Sequence, residues 1–259
     1  MPSAPDPRAL LDVAVTLAVE AGALLAGGRA SARVDVATKT SGTDMVTEID
    51  RASERLIADR LAELRPDDSL LGEEGAARTG TTGVCWVVDP LDGTTNYLYG
   101  FPAFTVSVAA EVDGVAVAGA VHDPVHGETF SAARGLGAWC DGRPLHVGGP
   151  PTLATALVAT GFSYDAAQRG RQAAVLPRLL PAVRDIRRAG AASLDLCWVA
   201  AGRLDGYYET GLNPWDRAAG ELVAREAGAR VRELAPGGLI VAGPDLIDPL
   251  ARLVLGDDA

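Results

Sequence analysis

Cysteine is scarce and unpaired in this chain of 259 residues: Cys85, Cys140 and Cys197 make an odd number, contain no CxxC motif, and each is flanked by apolar or aromatic residues. That excludes a disulfide framework and points to reduced, packed thiols, with Cys140 near the Asp141-Gly142 turn open to exposure. Histidine is equally rare, with three. His122 and His126 are four apart, but Pro124 between them opposes the helix that a metal-binding pair of that spacing needs, so they read as loop residues after a strand. Positive charge is in short supply as well: 23 Lys and Arg face 34 Asp and Glu, a formal net charge of −11. A nucleic-acid backbone is therefore excluded as the main partner, because phosphate binding needs clustered cations, and an anionic substrate would need metal ions as intermediaries. Long uncharged apolar runs are missing too. The most apolar stretch, Leu10 to Leu25, carries Asp12 and Glu20 and suits an amphipathic helix better than a membrane span or a secretory core, which makes the cytoplasm the expected location. No linker, internal repeat or low-complexity segment interrupts the chain beyond its Ala-rich helices, and only Met1 to Pro7 and Gly256 to Ala259 read as loose ends.

What is present is ordinary globular composition, 48% apolar and 22% charged, at a length that suits one large α/β domain or two closely packed halves. Helical spacing runs from Arg8 to Gly27, and a second helix from Thr47 to Leu64 opens with Glu48 and Asp50 in its first turn. Strands are predicted at 69–71, 84–88, 104–111, 115–121 and 128–132, with Asp113-Gly114 as a tight hairpin. Beyond residue 150 the style changes. A short strand at 156–160 precedes helices at 168–180 and 194–201, then a strand at 204–208, a helix at 214–227, strands at 230–232 and 239–241, and a last helix from Asp245. Alternation of this kind implies helices covering sheets. The expected organisation is a single catalytic domain, 1–259, with an N-terminal α+β half at about 8–150 and a C-terminal α/β half at about 151–255.

Four acidic islands stand out: Asp44-Met45-Val46-Thr47-Glu48-Ile49-Asp50, Gly72-Glu73-Glu74-Gly75, Asp89-Pro90-Leu91-Asp92-Gly93-Thr94-Thr95 and Asn213-Pro214-Trp215-Asp216. Each sits where an apolar element meets a loop or a helix start. In the third, the apolar run Trp86-Val87-Val88 leads straight into Asp89 and Asp92, whose mutual repulsion a divalent cation would remove. Hard oxygen donors without Cys or His suit Mg²⁺ or Mn²⁺ far better than Zn²⁺. Gly93-Thr94-Thr95 adds a close backbone approach and N–H groups opening a helical turn, which suits phosphate.

These islands, in this order, resemble the inositol monophosphatase family of Mg²⁺-dependent, lithium-sensitive phosphatases. The resemblance runs from about Leu10 to Leu255 and includes Gly135-Leu136-Gly137-Ala138, Asp141-Gly142, and the stretch from Leu196 through Gly202-Arg203-Leu204-Asp205-Gly206-Tyr207-Tyr208-Glu209 into Trp215-Asp216. It implies an α/β (α+β) layered sandwich, a sugar-phosphatase-like αβαβα arrangement, and a homodimer. It also implies that Glu73, Asp89 and the main-chain oxygen of Leu91 hold a first metal ion, and that Asp89, Asp92 and Asp216 hold a second. A weaker third would lie near Glu73, with Asp50 and Asp44 helping through water. Phosphate would rest on Gly93, Thr94 and the metals, while Glu209 and the backbone around Ala192 face the alcohol. Glu73 and Thr94 would orient a water and accept its proton. The implied substrate is myo-inositol 1-phosphate or a similar small polyol phosphate; histidinol phosphate, fructose 1,6-bisphosphate and 3′-phosphoadenosine 5′-phosphate are the alternatives, and a protein-binding regulator is a third reading.

Taken singly, each residue has a plainer explanation. Asp216 can be a helix-start acid behind Asn213 and Pro214, Asp92-Gly93 a turn, Glu73-Glu74 a solvated loop, and Lys39 a surface lysine, although the resemblance implies a lysine ahead of the Asp44 island near the active site. Arg184, Arg187 and Arg188 read most simply as a solvated helix face or the lead-in to a strand, with contact to substrate phosphate as the lesser option, and Tyr207 and Tyr208 as packing residues. One departure touches the substrate. Family members often carry Ser or Thr where this chain has Ala191 in Gly190-Ala191-Ala192-Ser193, so no side-chain hydroxyl is available there for a polyol.

Overall fold

The computed structural model describes residues 5–28, 36–38, 45–149, 152–235 and 237–256. Asp44 and Lys39 lie outside the described residues. In chain order the elements begin with α1 (Pro7–Gly28), β1 (Val36–Thr38), β2 (Met45–Thr47) and α2 (Glu48–Leu64). They continue with β3 (Ser69–Gly72), β4 (Ala77–Arg78), β5 (Val84–Asp92), α3 (Thr94–Tyr99), β6 (Thr105–Val112), β7 (Val115–Asp123), β8 (Glu128–Ala133), β9 (Gly137–Cys140) and β10 (Arg143–Pro144). The remainder is β11 (Leu157–Thr160), α4 (Ala166–Ala173), α5 (Leu176–Leu179), β12 (Asp185–Arg187), α6 (Ala192–Ala200), β13 (Gly206–Glu209), α7 (Pro214–Glu226), β14 (Arg230–Leu234), β15 (Gly238–Ala242) and α8 (Ile247–Leu255).

These elements stack as helices, sheet, helices, sheet, helices. An eight-stranded sheet in the order β10-β9-β8-β7-β6-β5-β3-β4 is antiparallel except for the parallel pair β3–β5. A five-stranded sheet in the order β12-β11-β13-β15-β14 has parallel pairs β12–β11 and β11–β13 and is otherwise antiparallel. Helices α1 and α2 cover the outer face of the large sheet; α6 and α7 fill the space between the sheets; α8, with α5 beside it, lies on the far side of the small one.

The period of two along each strand builds this sandwich. In β5, Trp86 and Val88 pack toward α1 and α2, whereas Val87 packs toward α6 and α7. In β15, Leu239 and Val241 join the central layer, and Ile240 and Ala242 the layer beneath α8. Both faces of these strands are apolar because both are covered, and each large side chain so buried contributes about 1.5–3 kcal/mol. Helix α1 is long and apolar enough to cross a membrane by length and composition, but its Leu10, Ala14, Leu17, Ala21 and Leu25 are spent against β6 and β7.

Among the boundaries that differ from the sequence expectation, three do so for identifiable reasons. The strand expected to stop at Val88 continues to Asp92: β5 stays paired with β6 through Asp89↔Ser107 and Asp92↔Thr105, and an irregularity between them absorbs Pro90, which has no N–H to give a regular ladder. The two acids are thus strand residues. The helix expected over 168–180 is divided into α4 and α5, because Pro177 can occupy the first turn of a new helix but not the interior of a longer one. The last helix starts at Ile247, after a turn through Pro244-Asp245. His122 belongs to β7, and His126 lies in the following turn with its Nδ1 2.6 Å from Asp123 Oδ2, so the two do not form a pair.

At the amino end of β3, Asp68 is almost fully buried and receives hydrogen bonds from Arg65 Nε (2.6 Å), Thr82 Oγ1 (2.6 Å) and Trp86 Nε1 (2.9 Å). Burial alone would raise its carboxyl, but the donors from Arg65, Thr82 and Trp86 outweigh it and hold the group below the usual carboxylate range. A carboxyl depressed by folding stabilises the native state above the unfolded-state pKa, and that contribution fades as pH falls through the folded value. Asp68→Asn should therefore cost about 2–3 kcal/mol at neutral pH. Thermal melts should show the gap from the parent closing as the pH drops below the ordinary aspartate value; a gap that stays constant would contradict the assignment.

Candidate active site

The carboxyl ends of all five parallel strands open onto one cavity of about 480 Å³ between the two sheets. Glu73 follows β3, Asp89 to Asp92 end β5, and the segments after β11 (Gly161 to Asp165), β12 (Arg188 and Gly190) and β13 (Glu209 to Asn213) supply the rest, with Asp216 from the first turn of α7. A crevice at strand carboxyl ends is where open α/β sheets bind ligands, and its size suits a small molecule.

Each acidic side chain has a local reason for its position. Asp89 Oδ1 accepts the Leu91 N–H at 3.0 Å across the strand irregularity. Asp92 is held by the start of α6, accepting from Ser193 N (2.7 Å), Ser193 Oγ (2.6 Å) and Ala192 N (3.3 Å). Asp216 Oδ2 accepts the Asn213 N–H at 2.6 Å, so the plain helix-start role is real and coexists with its place in the cavity wall. Gly93 turns the chain into α3 at φ 91°, a left-handed conformation that favours glycine. In the cavity wall, the Thr94 hydroxyl stands 3.0 Å from the Leu91 carbonyl and 3.2 Å from Asp50 Oδ2, a hydrogen-bonding proton for one or the other. Asp50 is fully buried beneath the wall.

The electrostatics are one-sided. Among the described lining residues Glu73, Asp89, Asp92, Asp165, Glu209 and Asp216 are acidic, and Arg188 alone is basic. Burial, then the neighbouring charges of Glu73, Asp92 and Asp216, push the Asp89 carboxyl well above its ordinary range. Asp92 is raised mainly by burial, against the Ser193 and Ala192 donors and the Arg188 charge. Asp216 is raised by burial and by Asp92 and Glu73, against the Asn213 N–H. Glu209 rises to about 7 through burial, opposed by the Tyr207 hydroxyl, which donates to its Oε2 at 2.7 Å, and by Arg188. A Cβ at Gly161 would overlap that carboxylate, so the end of β11 needs a glycine for Glu209 to lie against it.

Among the described residues no three acidic, histidine or cysteine side chains are already drawn together to hold a metal ion. The donor set nevertheless fits a hard divalent cation. Among the described residues Glu73, Asp89, Asp92, Asp216 and the Leu91 carbonyl are oxygen donors around one cavity, without Cys or His, and their clustered negative charge is what Mg²⁺ or Mn²⁺ offsets.

Of the residues singled out in the sequence, Glu73, Asp89, Leu91, Asp92, Gly93, Thr94, Ala192, Glu209 and Asp216 all line the cavity, Asp50 lies behind it, and Asp44 is outside the described residues. Tyr207 and Tyr208 pack as expected. Arg188, expected on a solvated face, reaches the wall, and the segment Phe162-Ser163-Tyr164-Asp165 was not anticipated. Both follow the carboxyl ends of parallel strands. The signal that finds them is the parallel pairing of β11 with β12 and β13, a long-range property.

Comparison with known proteins gives a consistent result. Residues 6–253 match the model of the inositol monophosphatase family. The chain is 48% identical over 269 residues to the inositol-1-monophosphatase SuhB of Mycobacterium tuberculosis, covering 95% of this chain and 93% of that protein. It is 40% identical over 242 residues to the Nus factor SuhB of Escherichia coli, covering 90% and 91%. Among solved structures, the extragenic suppressor protein suhB of Bartonella henselae superimposes with a TM-score of 0.91 at 35% identity, covering 96% of this chain and 99% of that one.

Glu209 provides a test of the cavity's charge balance. A carboxyl that keeps its proton to about 7 when folded, against 4.5 ordinarily, makes the folded state progressively less stable as pH rises between those values. Glu209→Gln keeps an acceptor for Tyr207 and removes that penalty. In EDTA the variant should melt above the parent at pH 8, with the difference vanishing near pH 4; a variant that melts below the parent at pH 8 would contradict the burial of this carboxylate.

Proposed function

The chain belongs to the inositol monophosphatase family, and from that premise we propose that this phosphoric monoester hydrolase cleaves myo-inositol 1-phosphate, or a similar small polyol phosphate, with Mg²⁺. The feature that carries the assignment is the cavity itself: a phosphate dianion cannot enter a wall whose described residues present six carboxylates and one guanidinium without cations to receive it.

Glu73, Asp89 and the Leu91 carbonyl would hold one Mg²⁺, and Asp89, Asp92 and Asp216 a second; Mn²⁺ suits the same donors. A weaker third would stand near Glu73, with Asp50 and Asp44 acting through water. Bound there, such ions neutralise phosphoryl oxygens, lower the pKa of water and stabilise a departing alkoxide. The N–H groups of Gly93 and Thr94 receive the phosphoryl group. Glu73, with the Thr94 hydroxyl, orients the attacking water and accepts its proton as the new P–O bond forms and the ester P–O bond breaks. Glu209 and the backbone around Ala192 face the alcohol. Attack is direct, for no His or Cys lines the cavity among the described residues to activate a protein nucleophile. A single catalytic domain, lithium sensitivity, a homodimer and a cytoplasmic location belong to the same proposal.

Ala191 is buried against Gly93 and offers no hydroxyl, which keeps histidinol phosphate, fructose 1,6-bisphosphate and 3′-phosphoadenosine 5′-phosphate open as alternative substrates for the same chemistry. A second reading, binding to transcription machinery, is favoured by the relatives named Nus factor SuhB.

Phosphate release from these four esters, with Mg²⁺ and with EDTA, tests the proposal. The expected outcome is Mg²⁺-dependent turnover concentrated on inositol 1-phosphate, and Glu73→Gln should lower kcat by roughly 10²–10⁴-fold with the fold intact. Turnover that survives EDTA, or a fully active Glu73→Gln variant, would overturn the mechanism; no release from any ester, together with pull-down of transcription proteins that survives Asp89→Asn, would favour the regulator.

A further inference from the structure

Helix α2 presents Asp50, Ser53 and Glu54 on one face, at positions i, i+3 and i+4, and all three are buried. The same stripe continues into Ile57 and Leu61, which pack in the core. Glu54 occupies a position where an apolar side chain would serve packing better, and its carboxylate is used in full. Oε2 accepts the Glu74 N–H and Oε1 the Ala76 N–H, each at 2.8 Å. Both donors belong to the short turn between β3 and β4 that carries Glu73. That turn accommodates the carboxylate because residue 72 is glycine; a Cβ there would overlap Glu54 Oε2. One residue earlier on the helix, the Ser53 hydroxyl donates to the Pro90 carbonyl at 2.9 Å, inside the irregular part of β5 between Asp89 and Asp92.

We propose that Ser53 and Glu54 form a clamp that fixes the Glu73 turn relative to the Asp89–Asp92 segment, and that Glu54 is a positioning residue for cation binding at that site. This rests on the metal-site assignment made above for Glu73 and Asp89. The clamp has a physical task. Glu73 and Asp89 line the same cavity from neighbouring strands, so the turn that carries Glu73 must be held against the like charge of Asp89. The turn is also tied by the Glu73 N–H to the Val88 carbonyl at 3.2 Å and the Gly72 N–H to the Ala76 carbonyl at 2.7 Å, and Gly72 pairs with Val88 in the β3–β5 ladder. Glu54 adds two charge-assisted bonds from an element that also holds Pro90, so both acidic segments share one rigid reference.

The test compares Glu54→Gln, Glu54→Asp and Ser53→Ala with the parent by two readouts. Backbone amide exchange over residues 72–76 reports the clamp without any metal, and calorimetric titration with Mg²⁺ reports its consequence. Glutamine presents an NH₂ to one of the two N–H donors, and aspartate is one methylene short. Both should speed exchange in the turn and weaken Mg²⁺ binding roughly tenfold, with KM for the ester changed less than about twofold. Ser53→Ala should give a smaller loss. Asp68→Asn, which destabilises the opposite end of β3, should lower the melting temperature and leave Mg²⁺ affinity unchanged, separating positioning from general stability. Parent-like exchange in Glu54→Gln and Glu54→Asp would overturn the clamp. Fast exchange with parent-like Mg²⁺ affinity would overturn its role in cation binding. If the parent itself binds no Mg²⁺, the metal-site assignment and the cation-binding role fail together, and the exchange data alone decide the clamp.

Discussion

Like-charge crowding around Asp89 is the constraint on which the rest of this structure depends. Two unit charges about 4 Å apart near a protein surface repel by about 4 kcal/mol, whereas a typical hydrogen bond contributes about 0.5–1.5 kcal/mol. No single contact can hold such a group of acids in place, and the fold supplies a set of them. Ser193 and the start of α6 grip Asp92, the turn ahead of α7 grips Asp216, and α2 grips the backbone that carries Glu73 and Pro90. The surrounding architecture reads as a frame that keeps carboxylates where they would otherwise separate.

The frame is assembled from two sheets whose parallel strands end at the same place. Parallel pairing needs a crossover connection, and the helix or loop that follows each strand leaves from its carboxyl end. In the large sheet this delivers Glu73 and Asp89 from neighbouring strands; in the small one it delivers Arg188 and Glu209. Helices α6 and α7 between the sheets then contribute their first turns. The acidic wall thus combines segments far apart in sequence, and Arg188, the one basic side chain among the described lining residues, comes from the opposite sheet to Asp89.

Much of this was legible beforehand, and the parts that were not share a cause. Acidic islands at the ends of apolar runs are local features, so Glu73, Asp89, Asp92 and Asp216 could be singled out residue by residue, and alternation of helix and strand pointed to layered sheets. The continuation of β5 through Asp89 and Asp92 was hidden because it depends on pairing with Ser107 and Thr105. Arg188 looked like a solvated arginine because nothing within its neighbours says that β12 lies parallel to β11. Pro177 was visible, but helical spacing on either side of it concealed the break between α4 and α5. Glu54 gave no sign of its task, since a glutamate on a helix is ordinarily solvated. Only the approach of the β3–β4 turn reveals where it points.

The central claim is that the acids are crowded for the sake of a cation, at the expense of stability without one. Melting curves of the parent and of Asp89→Asn, each in EDTA and in saturating Mg²⁺, test it most directly, because asparagine keeps the acceptor for the Leu91 N–H and removes only the charge. The account predicts that the variant melts above the parent in EDTA, and that Mg²⁺ raises the parent by about 5 °C or more while leaving the variant unmoved. A variant that melts below the parent in EDTA, with Mg²⁺ shifting both equally, would contradict it.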